Sequence, residues 1–180
     1  MKRYPLGDFI AILTVLLLLC GCAAQSSSEG QTAESGSVYI AKVADGDTVE
    51  TSIRGRVERI RLIGIDSPEL DQRPWGRSAK KFLQELISAS GWQVGIEYDI
   101  ERHDKHGRIL AYLWTRDGKM INEEMVKSGH AVLFTIPPNV KHADRLKTAQ
   151  VIARGNRIGI WGKSGLSQPP SAYRKEHPRK

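Results

Sequence analysis

The chain has 180 residues, of which 27 are lysine or arginine and 20 are aspartate or glutamate, so its formal net charge at pH 7 is +7. A basic surface attracts polyanions such as nucleic acid or anionic lipid, although charge alone does not choose between such partners. The length indicates one folded domain. The only cysteines, Cys20 and Cys22, lie close to the N-terminus, which excludes a disulfide-stapled scaffold for the rest of the chain.

The N-terminus has the pattern of a secretion signal. Met1-Lys2-Arg3 is followed by an uncharged, largely apolar run over residues 9–19, which suits a signal peptide and is too short to cross a bilayer. The segment Cys20-Gly21-Cys22 then resembles a bacterial lipoprotein processing site, with Cys22 as the lipidated N-terminus. Cys20 fits less well because the bulky Leu19 precedes it, and a plain secreted protein is the alternative. We expect residues 1–22 to direct a lipid-anchored protein to the cell envelope, in the outer membrane or at the cell surface.

Two further segments flank the expected domain, which covers residues 38–162. Residues 23–37 are rich in Ser, Gly, Ala, Gln and Glu, which is typical of a flexible tether. Residues 163–180 are basic and contain a Ser/Gly/Pro stretch. They are predicted to form a disordered tail that either solubilises the protein or helps to hold a polyanion.

Periodicity within the domain predicts an α+β fold that is mainly β. An Asp-Gly turn signal separates the first two β-rich runs, and strand alternation places Arg61 on the face opposite Ile60 and Leu62. The five expected strands cover residues 38–43, 48–53, 57–65, 92–100 and 108–115. The expected helices cover residues 75–90, a short stretch that Asn122 caps and Gly129 ends, and residues 143–155. Five strands with a helix between the third and fourth match an oligonucleotide-binding (OB) barrel with about three helices, a fold shared by binding proteins and enzymes.

Carboxylates and arginines concentrate around the third strand. A phosphodiester is an anion that repels hydroxide, so its hydrolysis needs cations, carboxylates and usually a metal close together. Asp47 and Asp66 are carboxylates from two strands, and an all-oxygen site of this kind suits Ca²⁺. Alternatively, an aspartate in such a segment stabilises the turn through its side chain. We assign this role to Asp45 but not to Asp47, because Asp66 and Glu69 supply further carboxylates for a metal site that includes Asp47.

Glu69, Arg61 and Arg108 are the candidates for catalysis. Glu69 follows Ser67-Pro68, where its carboxylate can reach a water, and the alternative of a helix-start acid is disfavoured because the next helix begins several residues later. Arg61 and Arg108 can donate bidentately to phosphate oxygens, although a lone strand arginine is usually a solvated surface charge. His103 and His106 have no cysteine or third histidine nearby, so a zinc site is not expected.

The motifs Asp45-Gly46-Asp47-Thr48, Arg61 to Glu69 and Asp104-Lys105-His106-Gly107-Arg108 together resemble the staphylococcal nuclease (thermonuclease) family, over residues 37–162. The resemblance implies a Ca²⁺-dependent phosphodiesterase that hydrolyses single-stranded DNA and RNA with little sequence preference and leaves 3′-phosphate ends. It implies Arg61, Glu69 and Arg108 as catalytic residues, with Glu69 as the general base. It further implies Asp47, Asp66 and the backbone carbonyl of Ser67 as calcium ligands, and Lys105, His106 and Phe134 as substrate contacts.

The sequence also departs from the family. His106 stands where tyrosine is frequent, and the segment with Phe134 and Ile136 stands where the staphylococcal enzyme has two tyrosines that line the nucleotide pocket. Phe134 can still stack on a base and Ile136 cannot, so base preference should differ. The main alternative is a non-catalytic OB-fold surface lipoprotein that captures nucleic acid, which is disfavoured because bare carboxylates repel a polyanion. A third hypothesis, an envelope lipoprotein that contacts proteins through its basic tail, is supported by composition alone. We expect a monomer.

Overall fold

A computed structural model describes residues 35–178. The predicted secretion signal, Cys22 and most of the tether lie outside these residues, so their assignments stay predictions. Ser35–Val43 form the first strand, which begins inside the segment predicted as tether. Within the described part of the chain, no helix is both long enough and apolar enough to cross a membrane.

The described residues contain seven strands and four α-helices. In chain order they are β1 (Ser35–Val43), β2 (Thr48–Ile53), β3 (Arg56–Leu62), β4 (Gly64–Asp66), α1 (Trp75–Ala89), β5 (Gln93–Glu97), β6 (Ile109–Trp114), α2 (Ile121–Lys127), β7 (Val132–Phe134), α3 (Ala143–Gly155), a 3₁₀ helix (Gly159–Trp161) and α4 (Pro170–Glu176).

Five of the strands close into a barrel in the order β1-β2-β3-β6-β5. The β3–β6 pair is parallel, whereas β1–β2, β2–β3, β5–β6 and the closing β1–β5 pair are antiparallel. Strands β4 and β7 form a separate antiparallel pair outside the barrel, with Gly64 opposite Phe134 and Asp66 opposite Val132. The predicted α+β class with a five-stranded OB-type barrel is confirmed.

Strand β3 and helix α1 direct their apolar side chains into the core. Ile60 and Leu62 of β3 are buried, and Arg61 between them faces the other side, as strand alternation predicts. Helix α1 buries one apolar face, including Leu83 and Ile87, against the barrel core. Each such large side chain contributes about 1.5–3 kcal/mol when it is fully buried. The barrel therefore forms a rigid support for the charged residues at the end of β3.

The third predicted strand, residues 57–65, is wrong as one continuous element. Strand β3 ends at Leu62, and β4 begins at Gly64, where the backbone has a φ of +79°. Glycine adopts this left-handed conformation without the steric cost of a Cβ. The break turns the chain out of the barrel, so that β4 pairs with β7 and carries Asp66 away from the core.

Asn122 does not cap helix α2 as predicted. Met120 lies at the N-cap position, and the Asn122 side chain is fully buried. Its Oδ1 accepts a hydrogen bond from the Leu113 backbone N–H at 3.0 Å, and its Nδ2 donates to the Ile63 carbonyl at 2.8 Å. The Asn122 amide therefore connects strand β6 to the junction between β3 and β4. It also provides hydrogen-bond partners for two backbone groups that would otherwise be buried without one.

The prediction of a disordered tail over residues 163–180 is wrong for residues 170–176, which form helix α4. Proline stands at the start of this helix, where its fixed φ and missing N–H do no harm. Pro170 is buried, and the carbonyl of Gln168 accepts a hydrogen bond from Gln72 Nε2 at 3.3 Å. Packing against the domain thus orders a segment whose composition is that of a solvated tail.

Candidate active site

The structure brings all nine predicted site residues of the domain to one cleft of about 1540 Å³. Three segments supply them: the turn before β2, the chain from β3 to the residues after β4, and the loop before β6, with Phe134 added by β7. These residues are Asp47, Arg61, Asp66, Ser67, Glu69, Lys105, His106, Arg108 and Phe134.

Asp47 is held tightly at one end of the cleft. Its Oδ2 accepts hydrogen bonds from the Ser67 backbone N–H at 2.8 Å and from Ser67 Oγ at 3.0 Å, and Thr48 Oγ1 donates to its Oδ1 at 3.1 Å. Gly46 is required beside it, because a Cβ there would lie 2.7 Å from the Ser67 and Ala79 side chains. Asp45 Oδ1 accepts a hydrogen bond from the Asp47 backbone N–H at 3.1 Å, which is the turn role expected for Asp45.

The Arg61 guanidinium is hydrogen-bonded to the backbone around it. Its Nη1 donates to the Leu62 carbonyl at 2.6 Å, and its Nη2 donates to the Ile65 carbonyl at 2.7 Å. The same Nη2 lies 3.2 Å from Asp47 Oδ2 and 3.5 Å from Asp66 Oδ1. Its side chain is only 13% exposed, so these charge-assisted bonds are shielded from water. Arg61 thus holds the β3–β4 turn and both candidate metal ligands together.

Arg174, which the sequence analysis did not select, forms hydrogen bonds with Asp66 and Glu69. The Arg174 guanidinium on helix α4 donates to both oxygens of Asp66, at 2.9 Å from Nη1 and 2.8 Å from Nη2. The same Nη1 donates to Glu69 Oε1 at 2.9 Å. The signal that could have indicated a helix here is Pro169-Pro170 before Ser171-Ala172-Tyr173, since proline is favoured in a first helical turn.

Burial and neighbouring charges shift the acids of the cleft in different directions. Burial alone would raise the pKa of Asp47, but the Arg61 charge and the hydrogen bonds from Ser67 outweigh it, so its pKa is lowered. Burial raises the pKa of Asp66, against the opposing hydrogen bonds from Arg174. Burial and the Asp47 charge raise the pKa of Asp45 to about 6. Of these three aspartates, Asp47 is therefore the one whose environment favours the carboxylate.

Glu69 lies on irregular chain between β4 and α1, as predicted. Helix α1 begins at Trp75 and has no acidic residue in its first turn, so Glu69 is not a helix-start acid. Its backbone N–H donates to Gln72 Oε1 at 2.9 Å, and its carbonyl accepts from the Gln72 N–H at 2.8 Å. Gly76 of α1 packs directly against that carbonyl. The Glu69 backbone is thus fixed from two sides.

Arg108 reaches the cleft from the loop between β5 and β6. Its Nε and Nη2 both lie 2.7 Å from Asp104 Oδ2. Asp104 Oδ1 accepts hydrogen bonds from the backbone N–H groups of His106 and Arg108, at 2.8 and 3.0 Å. The Asp-Lys-x-Gly-Arg motif therefore builds a closed loop in which Asp104 orients Arg108. A third of the Arg108 side chain is exposed, which leaves it open to an anion in the cleft.

The remaining predicted contacts line the cleft at its exposed margin. Lys105 and His106 are exposed on the same loop. Phe134 is 40% exposed and Ile136 is 58% exposed, so both apolar side chains face the cleft from the β7 side. Tyr173, which the sequence analysis did not select, also lines the cleft from helix α4. The margin thus combines a lysine and a histidine with apolar and aromatic side chains.

The acidic residues of the cleft fit a hard divalent cation by their chemistry. No group of three or more His, Cys, Asp or Glu side chains within residues 35–178 is arranged as a metal site. However, Asp47 and Asp66 both approach a single atom, Arg61 Nη2, within 3.5 Å, and Glu69 shares the Arg174 guanidinium with Asp66. Three carboxylates are therefore held together by cationic side chains. Oxygen donors of this kind are the ligands that calcium prefers.

Comparison with known proteins agrees with this geometry. A family profile described as staphylococcal nuclease homologue matches residues 59–163. The chain is 34% identical over 173 residues to the thermonuclease of Staphylococcus intermedius, across 89% of this chain and 99% of that protein. It is 35% identical over 135 residues to the SPbeta prophage-derived endonuclease YokF of Bacillus subtilis (strain 168), across 71% of this chain and 45% of that protein. It is 33% identical over 135 residues to endonuclease YncB of the same strain, across 71% of this chain and 63% of that protein.

The chain thus spans about half the length of YokF and nearly all of the thermonuclease. The profile match covers more than half of the chain, and the thermonuclease alignment covers 89% of it. The family resemblance expected from the sequence motifs is confirmed: this chain belongs to the staphylococcal nuclease family.

Proposed function

We propose that the chain is a Ca²⁺-dependent nuclease that hydrolyses single-stranded DNA and RNA with little sequence preference and leaves 3′-phosphate ends. Its family membership makes it a nuclease, and the relatives' names, thermonuclease and endonuclease, support phosphodiester hydrolysis. The observation that carries the proposal is the convergence of Asp47, Asp66, Glu69 and Arg61 in one cleft.

Asp47, Asp66 and the backbone carbonyl of Ser67 are the groups that would hold Ca²⁺. When bound, Ca²⁺ would supply positive charge for the non-bridging oxygens of the scissile phosphate. Asp47 suits this role because its lowered pKa keeps it charged at neutral pH. The Ser67 N–H and Oγ that bind Asp47 also fix the residue whose carbonyl would be used.

The chain's own residues then carry the reaction. Glu69 takes a proton from the water whose oxygen forms a bond to phosphorus, while the bond from phosphorus to the 5′ oxygen breaks. The departing oxygen takes up a proton from solvent to become a 5′-hydroxyl, and the phosphate stays on the 3′ side. Arg61 and Arg108 donate to the phosphate oxygens, on which charge increases in the transition state.

The cleft margin supports a single-stranded substrate. Phe134 offers an exposed aromatic face on which any base can stack, which gives affinity without sequence preference. Lys105 lines the same cleft, where its charge would add sequence-independent attraction for phosphates. Cleavage should therefore weaken steeply as salt concentration rises.

The anchor and the location form a further part of the proposal. Cys22 within Leu19-Cys20-Gly21-Cys22 supports lipidation at the N-terminus of the processed chain. A protein attached in this way would act as a monomer at the cell envelope, and its tether would separate the barrel from the membrane.

Cleavage of an end-labelled single-stranded DNA oligonucleotide by the full-length chain tests the proposal, in millimolar Ca²⁺ and in excess chelator. We expect cleavage only with Ca²⁺, and products that carry 3′-phosphate. Glu69→Gln should lower turnover by about 10²-fold or more and change oligonucleotide affinity little, because a general base contributes about 10²–10⁴-fold. Glu85→Gln, an exposed acid on α1, serves as the matched control. Equal losses of turnover and binding in Glu69→Gln would argue against the base role, and binding without any cleavage would favour a capture module.

A further inference from the structure

Helix α4 places a cation on the two acids that the proposed reaction needs most. Arg174 uses two nitrogens to bind both oxygens of Asp66, and one of them also binds Glu69 Oε1, all at 2.8–2.9 Å. Asp66 is a candidate calcium ligand and Glu69 is the candidate base. One side chain therefore occupies hydrogen-bonding positions on both functional groups.

Arg174 lies beyond the residues that the family profile matches. The family profile ends at residue 163, and Arg174 is separated from Asp66 by 108 positions in sequence. The segment that carries it is attached to the domain by the Gln72–Gln168 hydrogen bond, by the buried Pro170 and by Arg174 itself. The barrel is closed by pairs among β1, β2, β3, β6 and β5, so release of this segment would leave those pairs intact.

The helix also shares its space with the substrate. Tyr173, Arg174 and His177 line the same cleft as Arg61 and Arg108. The rings of Tyr173 and His177 stack with their centroids 4.1 Å apart, which makes one face of the helix a continuous part of the cleft wall. A strand of nucleic acid that placed a phosphate near Glu69 would meet this face.

We infer that Arg174 is an internal inhibitor: its guanidinium substitutes for the activating cation at Asp66 and Glu69, and the nuclease becomes active when Ca²⁺ and nucleic acid displace helix α4. This inference rests on the proposed calcium-dependent function. A guanidinium and a divalent cation that share both Asp66 oxygens repel each other, so binding of one disfavours the other. Phosphates of the substrate offer Arg174 an alternative partner with matching bidentate geometry, which favours its release.

Calcium affinity measured without nucleic acid provides the test. Isothermal titration calorimetry would compare the full-length chain with Arg174→Gln, Arg174→Lys and Lys175→Gln. Lys175 is the matched control, because it carries the same charge on the same helix but is exposed and does not line the cleft. Arg174→Gln should bind Ca²⁺ at least about tenfold more tightly, since several charge-assisted hydrogen bonds compete with the ion in the parent chain. The Ca²⁺ affinity of Arg174→Lys should lie between those of the parent and Arg174→Gln, because one ammonium cannot reproduce the bidentate contacts of a guanidinium. The Ca²⁺ affinity of Lys175→Gln should equal that of the parent.

Equal or weaker Ca²⁺ affinity in Arg174→Gln, with binding still measurable in the parent, would overturn the inference and leave the proposed function intact. Absence of Ca²⁺ binding in every form would overturn both. If circular dichroism shows that Arg174→Gln does not fold, the affinity of Arg174→Lys decides by the same criterion. Turnover at saturating Ca²⁺ adds a second readout: a fall of about tenfold or more in Arg174→Gln would assign Arg174 to transition-state binding and overturn the inhibitory role.

Discussion

Replacement of Gly76 by alanine should disturb Glu69 without removing any charged or polar side chain. Gly76 lies in the first turn of α1, and a Cβ there would stand 1.9 Å from the Glu69 carbonyl oxygen and 2.5 Å from its carbon. Real Cβ contacts are not shorter than 3.0 Å, so the two segments must separate by about 1 Å. The blocking atoms belong to the backbone and cannot rotate away, which means that the Glu69 segment itself must move.

Two magnitudes follow for Gly76→Ala. Overpacking of this kind typically costs 1–3 kcal/mol, and we expect a loss of about 3 kcal/mol in the free energy of unfolding because backbone must shift. A displacement of about 1 Å in a catalytic group costs on the order of 10²-fold in rate. Turnover should therefore fall by about 10²-fold, while oligonucleotide affinity, which depends on cations elsewhere in the cleft, changes much less.

Urea unfolding in chelator measures the first effect, and initial rates of oligonucleotide cleavage with saturating Ca²⁺ measure the second. Gly155→Ala is the matched control, because a Cβ at this position in α3 meets nothing within 4 Å. Alanine there should leave turnover unchanged and raise stability by up to about 1 kcal/mol. Wild-type stability in Gly76→Ala would refute the steric argument, and lower stability with full turnover would refute the link between Gly76 and the position of Glu69.

Three other changes test the structure away from the Glu69 segment. Asn122→Ala leaves two buried backbone groups without partners and should lower the free energy of unfolding by about 2–4 kcal/mol; a loss below about 1 kcal/mol in urea denaturation would contradict this. Burial lowers the pKa of His130 below its ordinary 6.5, against the opposing charge of Glu85, so protonation disfavours the folded state. Stability should fall as pH drops below about 6.5, by at most about 1.4 kcal/mol per pH unit, and an unchanged slope in His130→Gln would exclude this histidine as its source. Arg61→Lys keeps the charge but loses the forked contacts to two carbonyls, so both thermal stability and turnover should drop, turnover by about tenfold or more; full activity would show that charge alone suffices.

Local signals in the sequence predicted the barrel and several of the residues that meet in the cleft. The strands and α1 follow from period-2 and period-3.6 patterns, and Asp47, Arg61, Asp66 and Glu69 fall in two short motifs whose spacing is local. The structure adds information where a residue serves a partner far away in sequence. Arg174 lies in a basic, Pro-rich segment whose composition is typical of a solvated tail. Its position in the cleft depends on hydrogen bonds to Asp66 and Glu69, which precede it by 108 and 105 positions in the sequence.

Asn122 illustrates the same limit in the core. Its chemistry favours a helix cap when only neighbours in sequence are considered, yet its amide bridges Leu113 and Ile63, which is 59 positions away. The break at Gly64 is similar, because a glycine in a β-rich run permits a left-handed backbone but does not require it. The pairing of β4 with β7 provides the reason, and that pairing is non-local.

The β4–β7 pair also sets the spacing between Asp66, the proposed calcium ligand, and Phe134, the proposed base-stacking residue. Asp66 and Gly64 are two residues apart on one face of β4, and Phe134 stands directly opposite Gly64. Phe134 is therefore the diagonal cross-strand neighbour of Asp66, at a separation of about 7–8 Å. Backbone hydrogen bonds set this distance, so changes in side chains or outer loops leave it intact. A single-residue insertion in β7 between Val132 and Phe134 would instead turn the Phe134 side chain to the opposite face of the pair and remove the base contact proposed for it.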